Sequence, residues 1–75
     1  MENKSIKLGQ YRHFKNKEKN YQVLGVARHS ETGEDMVVYK KLYDDYSMFV
    51  RPYSMFIEEV EFNGKKVKRF EYIGE

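Results

Sequence analysis

Arg12-His13, Arg28-His29-Ser30-Glu31 and Arg51 are the side chains of this sequence best suited to chemistry, and they are set among Tyr43, Tyr46 and Phe49. An arginine fork pairs with a carboxylate or phosphate through two parallel hydrogen bonds, and an aromatic ring stacks on a planar group. Together these residues could hold an anionic or aromatic ligand. The candidate ligand-binding set is Arg12, His13, Arg28, His29, Glu31, Tyr43, Asp45, Tyr46 and Arg51. At least one of the guanidinium groups of Arg28 and Arg51 is expected near Asp45 or Glu31, with Tyr43 or Tyr46 beside it. The plainer alternative is that both arginines pair with Glu31, Asp44 or Asp45 and only pin loops to the body of the domain.

Other chemistries find less support. The only imidazoles are His13 and His29, sixteen positions apart, and there is no cysteine. A zinc site would need those two histidines and carboxylates gathered by the fold, so no metal is expected. Ser30 follows His29 directly, but neighbours on an extended chain point apart. There is no nucleophile elbow. The five glycines, Gly9, Gly25, Gly33, Gly64 and Gly74, are too scattered for a phosphate or dinucleotide loop. No cofactor is expected, and nothing demands an enzyme. Asp44-Asp45 lacks the pattern of a calcium loop and suits a solvated turn.

The elements that must position these residues are short strands. No segment has a helical period; apolar residues come in runs rich in Val, Tyr, Phe and Ile. Tyr11–Phe14 forms a first strand, and the polar segment 15–20 a turn. Tyr21–Arg28 carries apolar residues on both faces, which suits a central strand, and Gly25 marks a bulge or a close backbone approach. A turn at 29–34 leads to Met36–Tyr43, and Asp44–Ser47 connects to Met48–Arg51. Pro52 removes a ladder donor and starts one 3₁₀ turn, whose Met55 and Phe56 should plug one end of the barrel. Asn63-Gly64 is the strongest hairpin signal, joining 57–62 to a last strand at 67–73. Tyr21, Val23, Val38, Leu42, Val50, Val60 and Phe70 are the expected core. Five or six strands joined by tight turns close most readily into a small, partly open, SH3-like antiparallel barrel. Residues 1–9 are expected to form a flexible N-terminus and 10–75 a single domain.

With 75 residues there is room for one small core, and twelve Tyr and Phe supply the bulk it needs. The net charge is only +2 but unevenly spread. Residues 1–29 hold seven basic and two acidic side chains, and residues 30–62 three basic and eight acidic. Nucleic-acid binding usually leaves a stronger basic footprint, so it ranks second. Met1 is followed by Glu2, Asn3 and Lys4, with no apolar stretch, so neither an export signal nor a membrane span is expected and the cytoplasm is the default location.

The segments Tyr11-Arg12-His13-Phe14-Lys15, Tyr21 to Glu34, Val50-Arg51-Pro52-x-x-Met55-Phe56 and Arg69-Phe70-Glu71-Tyr72-Ile73 resemble, in order, the bacterial domain of unknown function 1653. The resemblance spans roughly residues 10–73. It implies a small β domain and supplies no activity. Two departures stand out: the family typically has Trp where this chain has Phe49, and the 15–20 turn is longer than usual. The leading reading is a binding module for an anionic or aromatic ligand or a protein partner. A nucleic-acid-binding barrel is the first alternative, and a small hydrolase using His13 or His29 as base the second.

Overall fold

The computed structural model describes residues 6–15 and 18–75; residues 1–5 of the expected loose terminus and 16–17 of the polar turn lie outside the described residues. The elements are β1 (Gly9–His13), β2 (Asn20–Arg28), β3 (Asp35–Lys41), β4 (Met48–Pro52), α1 (Tyr53–Phe56), β5 (Glu59–Phe62), β6 (Lys65–Lys68) and β7 (Phe70–Gly74). Five strands make one antiparallel sheet in the order β4-β3-β2-β1-β7, and β5-β6 make a second of two strands. The larger sheet does not close, so the domain is a small, partly open, all-β barrel. β2 is its central strand.

Burial follows the register. Val23 faces Tyr39 across the β2–β3 ladder, and the register then slips so that Gly25 faces Val38 and Val26 faces Val37. Leu24 is the extra residue of this bulge, and it is 44% exposed. The core consists of Tyr11, Val23, Val37, Tyr39, Phe56 and Phe70, with Ile6, Tyr21, Tyr53 and Tyr72 packed against it. Adjacent residues on a strand face opposite sides, so with Val37 and Tyr39 inside, Val38 turns outward.

Five of the seven expected core residues lie outside the fully buried set. Val38, Leu42 and Val60 are half-buried, and Val50, opposite Val38 on β4, is 59% exposed. The inner face of β4 is instead Phe49 and Arg51, opposite Tyr39 and Val37. Tyr21 is also half-buried rather than enclosed, while Val23 and Phe70 are buried as expected.

Pro52 ends β4 and caps α1, a single turn that is α-helical rather than 3₁₀. Only Phe56 plugs the barrel; Met55 is 43% exposed. Phe56 stacks flat on Phe70, centroids 4.3 Å apart, and meets Tyr11 and Tyr39 at 5.5 and 5.3 Å. Asn63 and Gly64 have φ of 53° and 76°, the paired positive values of a type I′ hairpin turn. The expected last strand is in fact two. β6 pairs with β5, β7 pairs with β1, and the chain crosses between sheets at Arg69. There the Arg69 N–H donates to the Glu58 carbonyl at 3.0 Å, and the Arg69 carbonyl accepts from the Phe14 N–H at 3.1 Å. Gly9 begins β1 with φ 136°; a Cβ there would sit 2.7 Å from the Gly74 carbonyl oxygen, so the approach of β7 requires glycine.

Candidate functional site

The candidate residues fall into three groups. Arg12 lies on the outer face, where its Nε donates to Glu71 Oε1 at 2.8 Å across the β1–β7 ladder. This is an exposed cross-strand ion pair. Arg28, His29 and Glu31 belong to the β2–β3 turn. Arg28 pairs with Asp35 at 4.0 Å, and His29 Nδ1 accepts the backbone N–H groups of Glu31 and Thr32 at 3.1 and 3.3 Å. The His29 ring thus holds the turn closed, and its amide donates to the Glu34 carbonyl at 2.7 Å.

The third group gathers along the inner face. The Arg51 guanidinium lies 5.5 Å from the Phe70 ring centre, and its Nε is 3.5 Å from the Tyr39 hydroxyl. His13 meets the same Phe70 ring edge-on at 5.2 Å, and Tyr21 does so at 5.6 Å. Tyr21 shares a hydroxyl hydrogen bond of 2.8 Å with Tyr43. Phe49 tilts against Tyr39 at 5.9 Å and is 41% exposed. So His13, Tyr43 and Arg51 are brought together through Phe70, Tyr21 and Tyr39. Arg28, His29 and Glu31 occupy the other end of the β2–β3 hairpin, about 20 Å along the strands from Tyr21.

Among the ion pairs of the described residues, Arg28 takes Asp35, and Arg51 takes none of Glu31, Asp44 and Asp45. Asp45 is held by Lys41, 3.1 Å away, and by the Ser47 N–H at 3.2 Å; Asp44 also binds Lys41, at 3.3 Å. These bonds hold the Asp45 carboxyl below, and Lys41 above, their ordinary pKa values. Tyr46, its amide donating to the Tyr43 carbonyl at 3.1 Å, stands exposed in the same connection. Arg51 forms no ion pair among the described residues.

Electrostatics single out the ground around His13. Burial pushes its pKa below the ordinary imidazole value, and the charges of Arg69, Arg51 and Lys15 push the same way. The His13 Nδ1 accepts the Lys15 N–H at 3.2 Å, so the neutral ring carries its proton on Nε2. Arg69 reaches Glu58 through one terminal nitrogen at 3.1 Å, but its Nε is buried without a hydrogen-bond partner among the described residues. Burial and the Tyr43 hydroxyl raise the Tyr21 pKa, so that phenol stays protonated. Phe70, Tyr21, Tyr39 and Arg69 are the residues that sequence reasoning missed. Tyr21 and Phe70 read as core in the sequence, Tyr39 is not singled out there, and Arg69 falls inside the single strand expected at 67–73.

A separate groove of about 340 Å³ lies beneath the β5–β6 hairpin, lined by Phe14, Phe62, Val67, Lys68 and Glu71. It offers rings, but its two charges are of opposite sign. In the inner-face cluster Arg51 and His13 contact the same Phe70 ring, and Arg51 has no ion-pair partner among the described residues, which makes it the stronger candidate on chemical grounds. Among the described residues no three His, Asp or Glu side chains are grouped to hold a metal ion, and no helix is long and apolar enough to cross a membrane.

A five-stranded antiparallel sheet that does not close, with a two-stranded hairpin beside it, defines the class: a small, partly open all-β barrel domain. Within that class, the chain belongs to the family described as protein of unknown function DUF1653, which it matches over residues 9–72. It is similar to a crystal structure of a DUF1653 protein from Bordetella bronchiseptica, with 37% identity, a TM-score of 0.82, and 92% of this chain and 88% of that chain covered. No curated protein matches the chain.

Proposed function

We propose that this domain is a binding module for a small anionic ligand, seated on the inner face by Arg51 and His13 beside Tyr21, Tyr43 and Phe49. The observation that carries this reading is the half-buried residue Arg51, whose guanidinium has the Phe70 ring and the Tyr39 hydroxyl beside it and no carboxylate partner among the described residues. Holding a charge partly out of water without a counter-ion is costly. An anion would supply the missing partner, and the arginine fork would fix its orientation.

The test is an NMR titration reading the Arg51 Nε–Hε signal and backbone amides, with benzoate and inorganic phosphate as probes. Saturable shifts centred on Arg51, His13 and Tyr43 are expected, and Arg51→Lys should keep the fold but abolish them, because lysine lacks the planar fork. Shifts confined to exposed lysines, or none at millimolar probe, would refute the reading.

A further inference from the structure

Resting on that reading, we infer that the ligand group is a dianion of the phosphate monoester type, and that His13 takes up a proton as it binds. The argument begins from the charges that face His13. From its own strand end comes Lys15, from β4 Arg51, and from the junction of β6 and β7 Arg69. Lys15 and Arg51 have no ion-pair partner among the described residues, whereas Arg69 is matched by Glu58. Two positive charges without an ion-pair partner among the described residues therefore act on a neutral imidazole. The ring is packed between Phe14, at 4.8 Å, and Phe70, at 5.2 Å.

A monoanion balances only one of those charges. A phosphate monoester brings two, with tetrahedral oxygens that suit several donors at once. The Arg51 fork and the His13 Nε2–H are such donors. The dianion also reverses the field that keeps His13 neutral, since a nearby negative charge favours the protonated ring. Protonation has a structural signature. The new proton must go to Nδ1, which now accepts the Lys15 N–H. That hydrogen bond must break when His13 becomes charged, so the Lys15 amide reports the event.

The experiment compares phenyl phosphate with phenyl sulfate, two ligands of similar shape that differ by one charge. At about pH 7.5 the phosphate is a dianion, since its second pKa is about 6. Calorimetry in two buffers of different ionisation enthalpy measures proton uptake on the unmodified domain. Phenyl phosphate should bind about tenfold or more tightly than the sulfate, the equivalent of one pKa unit of linkage. Its binding should take up protons and move the His13 ring and Lys15 amide signals. His13→Gln should abolish the uptake and narrow the preference. Equal binding of both ligands without proton uptake would overturn the dianion and leave the anion seat standing. Binding of neither would remove the seat itself.

Discussion

The five-stranded sheet, rich in Val and Tyr, and the β5–β6 hairpin, whose strands EVEF and KKVK are mostly charged, are held by different physics. On the sheet's inner face Tyr11, Val23, Val37, Tyr39 and Phe70 are buried together with Phe56 of α1, and their rings meet edge-on, tilted or stacked. In the hairpin no residue is fully buried; only Val60 and Val67, facing each other across the ladder, are half-covered. Around them alternate Glu59 with Lys68 and Glu61 with Lys66, opposite charges directly across the strands. A two-stranded unit of this kind is marginal alone. Here it is tied to the body by the Glu58–Arg69 contacts and by Phe62 against Phe14, ring centres 5.4 Å apart. Burial holds one region, turn chemistry and register the other, and the inner-face cluster belongs to the first.

The largest expected break in this contrast is Phe56→Ala. It removes a ring that meets three others, Tyr11, Tyr39 and Phe70, the last of them stacked at an interplanar angle of 2°. Loss of about 3–5 kcal/mol is expected, as for other buried Phe truncations. That is a large share of the stability of any small domain. Met55→Ala, one position earlier but exposed, should change the melting temperature little. Equal effects of the two, measured by thermal melts, would mean that the helical turn plugs the barrel in some other way.

Gly64→Ala tests the hairpin. Its φ of 76° lies in the left-handed region, where a Cβ costs roughly 1–2 kcal/mol. The strain falls on a region held by its turn, so it should appear first as faster amide hydrogen exchange in β5 and β6, with β2 and β3 little changed. Uniform acceleration across both sheets would show that hairpin and body unfold as one unit and would erase the distinction.

The same contrast explains what the sequence made legible. Local signals succeeded where local physics decides: Asn63-Gly64 marked its turn, Gly25 its bulge, and Pro52 the end of β4. Parity failed where both faces were apolar. Met36-Val37-Val38-Tyr39 fits either face, and the slip at Leu24 removed the frame that would have chosen between them. Arg69 could have been found by counting: equal arms about Asn63-Gly64 end β6 at Lys68, leaving the next residue to change sheets. The site was half legible for a related reason. Residue type picked out His13, Tyr43 and Arg51, but only the strand register shows that Arg28, His29 and Glu31 lie at the far turn, and that Arg51 points inward.

The smallest expected effect is a pH dependence that belongs to the body and not to the hairpin. His13 packs against the core residue Phe70, and burial holds its pKa below the ordinary imidazole value of 6.5, with Arg69, Arg51 and Lys15 pushing the same way. Between the unfolded value and the lowered folded one, the unfolded chain binds more protons than the native domain, so stability falls as pH falls through that window. Above pH 6.5 this contribution is fully present. Asp45, whose pKa is lowered from 3.8 chiefly by the Lys41 hydrogen bond, acts only at more acid pH and does not overlap. Melting temperatures taken downward from neutrality should therefore decline before the carboxylates titrate, and His13→Gln should flatten that first decline. Hairpin amides that exchange by local opening should not follow it. A first decline unchanged in His13→Gln would place its origin away from the Phe70 face, and would count equally against His13 as the group that charges when an anion arrives.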